Sequence, residues 1–152
     1  MMNYITQASP NDAAVILELQ KLAYRSEAQI YDDFSIPPLM QTLEELRSDF
    51  AHAVFLKAEY EGEVIGSVKG HQAGDTCYIE RLIVHPDCQG QGIGTALMKQ
   101  IEPYFGQAQR FELFTGHKSE HNIRLYERLG YKIFKSEDIN KDLSFVFMEK
   151  HK

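Results

Sequence analysis

The chain has 152 residues, 43% hydrophobic and 25% charged, which suits one compact domain over residues 1–152 and leaves little room for a second core. Its formal net charge of −6 lacks the basic footprint of a nucleic-acid binder and favours small cationic partners such as amines. The start carries no basic region, and the longest purely apolar stretch, Ala13-Ala14-Val15-Ile16-Leu17, is far short of the roughly 20 residues that span a bilayer, so a soluble, cytoplasmic protein with no membrane partner is expected.

Tyr4 to Ala8 reads as a short strand, and Ser9-Pro10-Asn11-Asp12 supplies a helix N-cap, a proline at the first helical position and an acid three residues after the cap. Ala13, Ile16, Leu17, Ala23 and Tyr24 then share one helical face, interrupted only by Gln20. The helix must end before Phe34-Ser35-Ile36-Pro37-Pro38, because consecutive prolines cannot continue it. Thr42-Leu43-Glu44-Glu45 is a capping box for a second short helix to about Phe50.

From Ala53 the period changes. Ala53 to Tyr60 and Val64 to Gln72 read as a hairpin about Glu61-Gly62-Glu63, and Thr76 to Val84 completes an antiparallel meander. Helix then alternates with strand: a helix from Gly92 to about Phe105, a strand at Arg110 to Thr115, a helix from Asn122 to Leu129 closed by Gly130, and strands at Tyr131 to Lys135 and Ser144 to Met148. The expected class is α+β, a mixed and mostly antiparallel central sheet flanked by helices. Cys77 and Cys88 lie in no CxxC and are expected to be reduced, and the histidines lack zinc-site spacing, so no metal is expected.

The chemistry concentrates in the run from Tyr78 to Met98, a strand, a short loop, and glycines opening a helix. Bare amides at a helix start favour an anion, and glycines let the backbone approach it closely, so a pyrophosphate suits Gln89-Gly90-Gln91-Gly92-Ile93-Gly94-Thr95. Taken alone, the same residues also read as an ordinary glycine-rich turn. No Gly-Lys-Ser/Thr follows, which excludes a P-loop. Glu112 stands where a Rossmann ribose acid would, but the spacing is GxGxG, and a meander rather than βαβ units precedes it. The second signal is Asn122 to Tyr131, in which Asn122 and Tyr126 share a helix face; alone, it equally describes an amphipathic helix with a packed tyrosine.

Together the two segments resemble the GNAT acetyltransferase superfamily. Its coenzyme motif Gln/Arg-x-x-Gly-x-Gly/Ala is met by Gln89, Gly92 and Gly94, and its later Asn-x-x-x-Tyr-x-x-x-Gly-Tyr/Phe by Asn122, Tyr126, Gly130 and Tyr131. The element order matches over essentially the whole chain. The resemblance implies acetyl-CoA as co-substrate, its pyrophosphate on the amides from Gln89 to Thr95 and its pantetheine arm along Leu82, Ile83 and Val84, where this fold usually carries a bulge. It further implies a hydrogen bond from Asn122 to the arm, Tyr126 near the sulfur, and a homodimer.

Aminolysis of a thioester needs a free amine, and deprotonating an ammonium of pKa near 10.4 at pH 7 costs roughly 4.6 kcal/mol. Glu80 looks like the position where family members place a catalytic acid or base; otherwise it is a structural partner of Arg81 or another cation. An unperturbed glutamate near 4.3 lies about 6 units below the amine, so Glu80 must act through water, have a raised pKa, or receive the proton after attack. Tyr126 is the expected general acid to the departing sulfur. Glu27, Tyr31 and Asp32 fall in a stretch that resembles the variable acceptor-facing region, where acids and aromatics hold a cation, although a solvated acidic loop has the same composition. The expected function is N-acetylation of a primary amine on a small molecule or peptide. The alternative is a catalytically silent module of the same fold that binds or senses acyl-CoA.

Overall fold

The computed structural model describes residues 4–152; Met1, Met2 and Asn3, part of the start read above as lacking a basic region, lie outside the described residues. Strands β1 (Tyr4–Gln7), β2 (Val54–Tyr60), β3 (Glu63–Ala73), β4 (Thr76–Val84), β5 (Arg110–Gly116), β6 (Lys132–Asp138) and β7 (Ser144–His151) form a seven-stranded sheet. Its order is β1-β2-β3-β4-β5-β7-β6, parallel only between β4 and β5. The helices are α1 (Ala13–Tyr31), α2 (Pro37–Met40), α3 (Leu43–Asp49), α4 (Ile93–Ile101) and α5 (Glu120–Arg128). The class is the mixed α+β sheet that the sequence leads one to expect.

Local chemistry sets the boundaries. The β2–β3 hairpin turns on Glu61 and Gly62, at φ 50° and 81°, the twin left-handed conformations that a tight two-residue connection requires. Asp12 Oδ2 accepts from the Ser9 amide at 2.9 Å, but Pro10–Asp12 forms a 3₁₀ turn, so α1 starts at Ala13. The capping box of α3 is reciprocal: the Glu45 amide donates to Thr42 Oγ1 at 3.2 Å and the Thr42 amide to Glu45 Oε1 at 2.8 Å. The proline pair does more than end a helix. Once α1 has stopped at Tyr31, with Asp32 left-handed at φ 50°, Pro37 and Pro38 open α2, where a first turn needs no amide proton. Gln20, the polar break in the α1 face, is buried and donates to Pro38 O and Gln41 Oε1, both at 2.9 Å, tying α1 to α2.

Successive strand residues face opposite ways, so Phe55 joins one core with Ala13, Ile16, Leu17 and Leu46 while Leu56 joins another with Ile93, Leu97, Met98 and Ile101. Helices therefore cover both faces. Gly66 brings α4 against the sheet: a Cβ there would stand 3.1 Å from Ile93 Cγ2 and from Leu97 Cδ1.

Two irregularities position the site. β4 and β5 pair only at Thr76↔Arg110, Cys77↔Phe111 and Tyr78↔Glu112, after which the strands part. In the same stretch β4 is bulged against β3, since Ser67 faces Ile83 while Lys69 faces Glu80. Arg81 takes the left-handed conformation there at φ 55°, an uncommon one for a residue with a side chain.

Candidate functional site

The parting of β4 and β5 opens a cavity of about 660 Å³. One wall is the β4 edge, where Leu82, Ile83 and Val84 lie beyond the last β5 pairing and their outward backbone groups have no strand to bond. The floor toward α4 is Gln89, Gly90, Gly92, Ile93, Gly94 and Thr95. Gly90 and Gly92 are left-handed at φ 76° and 81°, and a Cβ added at either meets nothing within 4 Å, so the loop leaves open space at the start of α4. No side chain caps α4, which leaves its first amides available to an anion. A diphosphate fits this cradle, and an extended polar arm fits the unpaired strand edge beside it. Gln91 is exposed and is not part of the cavity wall.

The opposite wall comes from α5 and α1. Asn122 and Tyr126 both line the cavity, one helical turn apart. Tyr126 is 7% exposed. Burial pushes its phenol well above the ordinary range, and the nearby Tyr24 and Glu27 add to the effect, so the hydroxyl keeps its proton. The hydroxyls of Tyr31 and Tyr131 are held by protein partners, whereas that of Tyr126 forms no such bond among the described residues.

Glu27 reaches across from α1: Ser119 Oγ donates to its Oε2 at 2.6 Å and Asn122 Nδ2 to its Oε1 at 3.4 Å. The Tyr31 hydroxyl lies 3.2 Å from Ser119 Oγ and accepts from the Lys118 amide at 2.9 Å, so Tyr31 lines the cavity as a buried anchor between α1 and the β5–α5 loop. Asp32 sits outside the cavity. As the left-handed C-cap of α1 it turns to solvent, and its neighbour Asp33 lies in the wall instead.

Glu80 lines the cavity, with Oε1 3.7 Å from His71 Nδ1 on β3. Its near polar neighbour is therefore the imidazole of His71, and it forms no ion pair with Arg81 among the described residues. Arg81 instead spreads over the Tyr24 ring, 6.0 Å from guanidinium carbon to centroid. Burial raises the Tyr24 phenol pKa against the opposing charge of Arg81. Arg81, Ser119, Phe114 and Phe145 join the site without having been singled out for it. Arg81 and the two phenylalanines line the cavity, while Ser119 reaches it through Glu27. None carries a local motif; only folding brings Ser119 to Glu27. Cys77 is buried and Cys88 half-buried, both as free thiols, and burial together with Glu102 pushes the Cys77 thiol up to about 12. Among the described residues no helix is long and apolar enough to cross a membrane, and no group of three or more His, Cys, Asp or Glu side chains converges as a metal site.

Residues 14–131 match the family model of the acetyltransferase (GNAT) family. A curated relative, the UPF0157 protein YqkA of Bacillus subtilis, is 27% identical over 131 residues, which is 86% of this chain but 38% of that protein, so the chain spans well under half of the relative's length. The fold is similar to that of the PaiA N-acetyltransferase of Thermoplasma acidophilum in complex with coenzyme A, with a TM-score of 0.83, 17% identity and full coverage of both chains. It is also similar to the ribosomal-protein-S18-alanine N-acetyltransferase of Escherichia coli, with a TM-score of 0.81 and 16% identity over 99% of this chain and 94% of that one. YncA of Salmonella typhimurium, solved with its cofactor acetyl-CoA, gives a TM-score of 0.79 and 18% identity over 99% and 94%.

Proposed function

The chain belongs to the GNAT family of acetyltransferases, and from that premise we propose that it transfers the acetyl group of acetyl-CoA to the primary amine of a small molecule or peptide. One observation carries the reading: the glycine-opened start of α4, the unpaired edge of β4 and the protonated Tyr126 all face one cavity. Two structurally similar acetyltransferases were solved with coenzyme A or acetyl-CoA, which supports the same occupant here.

In this reading the amides from Gln89 to Thr95 hold the diphosphate, with Gln91 contributing through its backbone alone. The backbone of Leu82, Ile83 and Val84 aligns the thioester arm, and Asn122 orients it while holding Glu27. The co-substrate supplies the activated acetyl group. Glu80 accepts the amine proton through water, and Tyr126 donates to the sulfur as the thiolate leaves, help of a kind typically worth about 10² to 10⁴ in rate. Glu27 receives the acceptor's cationic group. One domain over residues 1–152, a cytoplasmic location, a homodimer, and the absence of nucleic-acid or membrane partners complete the proposal.

Calorimetry with coenzyme A and acetyl-CoA, followed by thiol release across a panel of amines, tests it. Heat with both ligands and thiol release with at least one amine are expected. No heat at millimolar ligand overturns the reading, and tight binding with silence across the panel turns it into that of a binding module.

A further inference from the structure

Arg81 is held in a way that the reaction proposed above does not call for. The bulge puts it in the left-handed conformation, and a bulge re-aims the side chain it carries. Arg81 lines the cavity, with its guanidinium over the ring of Tyr24, and it also lines a smaller hollow shared with Pro37, Met40, Gln41 and Glu45. Its Nε is buried and has no hydrogen-bond partner, the one such side-chain atom among the described residues. No ion pair among those residues includes Arg81 either, although the other partly buried cations have theirs: Lys57 with Asp12, Lys69 with Asp49, Arg110 with Glu112 and Glu149, and Lys150 with Glu102. A buried guanidinium donor without an acceptor is costly; the Nε itself is closed off from solvent, so it is the rest of the guanidinium, on the cavity wall and without an ion pair, that an entering anion meets.

The charge of the facing wall completes the pattern. Glu27 is fixed by Ser119 and Asn122, one helical turn from Tyr126, and no cation among the described residues neutralises it. The two walls thus offer opposite charges, and Glu27 lies close enough to Tyr126 to add to the upward shift of its phenol. Glu80, the neighbour of Arg81 on β4, is turned toward His71, and Glu45, which shares the smaller hollow with Arg81, forms no ion pair with it among the described residues.

Building on the acetyltransferase reading, we propose that the acceptor is a zwitterion of amino-acid type, its ammonium drawn to Glu27 and its carboxylate bound by the Arg81 guanidinium. Arg81 is then a specificity-determining residue. Amines without an anion leave the guanidinium without a counter-charge, and polyamines place a second cation against it. The planar fork of arginine suits a carboxylate bidentately, which a lysine in the same place reproduces only in part.

The test compares matched acceptors on the full chain: free amino acids, their carboxamides, and the corresponding decarboxylated amines. Thiol release from acetyl-CoA gives kcat/KM, and titration of the coenzyme A complex by calorimetry gives binding independently of turnover. We expect free amino acids to exceed their carboxamides by about 30-fold or more, as for truncation of a buried charge pair. Arg81→Gln should collapse that ratio through KM, and Arg81→Lys should recover part of it. Carboxamides or polyamines preferred by the unaltered protein, or a carboxylate preference that survives Arg81→Gln, overturn the proposal. If no amine is acetylated while amino acids still bind more tightly than carboxamides, the specificity stands and the catalytic reading falls. Equal binding of both overturns the specificity whatever the turnover. Retained coenzyme heat in each variant shows that the fold is intact, and the comparison on the unaltered chain needs no variant.

Discussion

A phenol can donate a proton only while it holds one, and the burial of Tyr126 secures that over the whole working range, since its pKa lies above the ordinary 10.0. Tyr126→Phe should lower kcat by about 10² to 10⁴ while coenzyme binding stays within a small factor, because the ring still fills its place and only the donor is lost. The pH profile adds a check with a defined sign. A raised pKa keeps the donor form present, so kcat at saturation should show no falling limb from Tyr126 below about pH 10; a limb there that Tyr126→Phe abolishes would count against the assignment. Legibility at this scale divides by range. Gly90 and Gly92 can be read from sequence because a left-handed backbone in open space asks for glycine, and the spacing of Asn122 and Tyr126 is set within one helix. The bond from Ser119 to Glu27 joins residues 92 apart, and Arg81 occupies a left-handed position that local chemistry assigns to glycine, so neither leaves a local trace.

Elements whose ends are set by turn and cap chemistry match their sequence reading closely: β4 spans Thr76–Val84 as expected, and the capping box opens α3 at Leu43. Elements ended by tertiary contact are bounded less sharply. β7 runs on past Met148 to His151 because β5 pairs with it as far as Arg110, and α1, expected only to end before Phe34, does so at Tyr31, whose ring is pinned against Gly116 and the loop that follows. That contact is tight enough for a Cβ at Gly116 to collide with the Tyr31 hydroxyl and ring. Gly116→Ala should therefore drive the end of α1 away from β5, loosening the wall that carries Glu27. Overpacking of this kind costs about 1–3 kcal/mol, and each kcal/mol lowers the melting temperature by roughly 2–4 °C in a chain of this size. Thermal melts should show that loss, and acceptor KM should rise with it. The double variant with Tyr31→Phe should lose less than the sum of the single changes, because part of the collision is removed. Strict additivity would mean that the two residues do not meet.

At the scale of the molecule, the sheet is two antiparallel blocks joined by a parallel seam of three residue pairs, and the same short seam that opens the cavity is also where the sheet is least bonded. A mixed sheet could be foreseen from the order of elements, but the parting of its strands follows from a bulge and a register that no local pattern encodes. Arg110 reinforces the closed end. Its Nη2 lies 2.8 Å from Glu112 Oε1, its Nε donates to Glu149 Oε1 at 2.8 Å, and its Nη1 reaches Thr76 Oγ1 at 3.4 Å, so one side chain ties β4, β5 and β7 together. The hydrogen bond from Arg110 holds the Glu149 carboxyl below its ordinary 4.5, with the guanidinium charge acting the same way against a smaller cost of burial. A carboxylate more acidic in the folded than in the unfolded chain stabilises the fold above its unfolded pKa, and that contribution fades as pH falls through the folded value. Glu149→Gln should therefore be less stable than the unaltered chain at pH 7, with the difference shrinking once pH drops below about 4.5. Urea midpoints measured from pH 7 to pH 3 read this directly. A gap that stays constant across that range would show that Arg110 holds the seam through geometry alone, without the charge of Glu149.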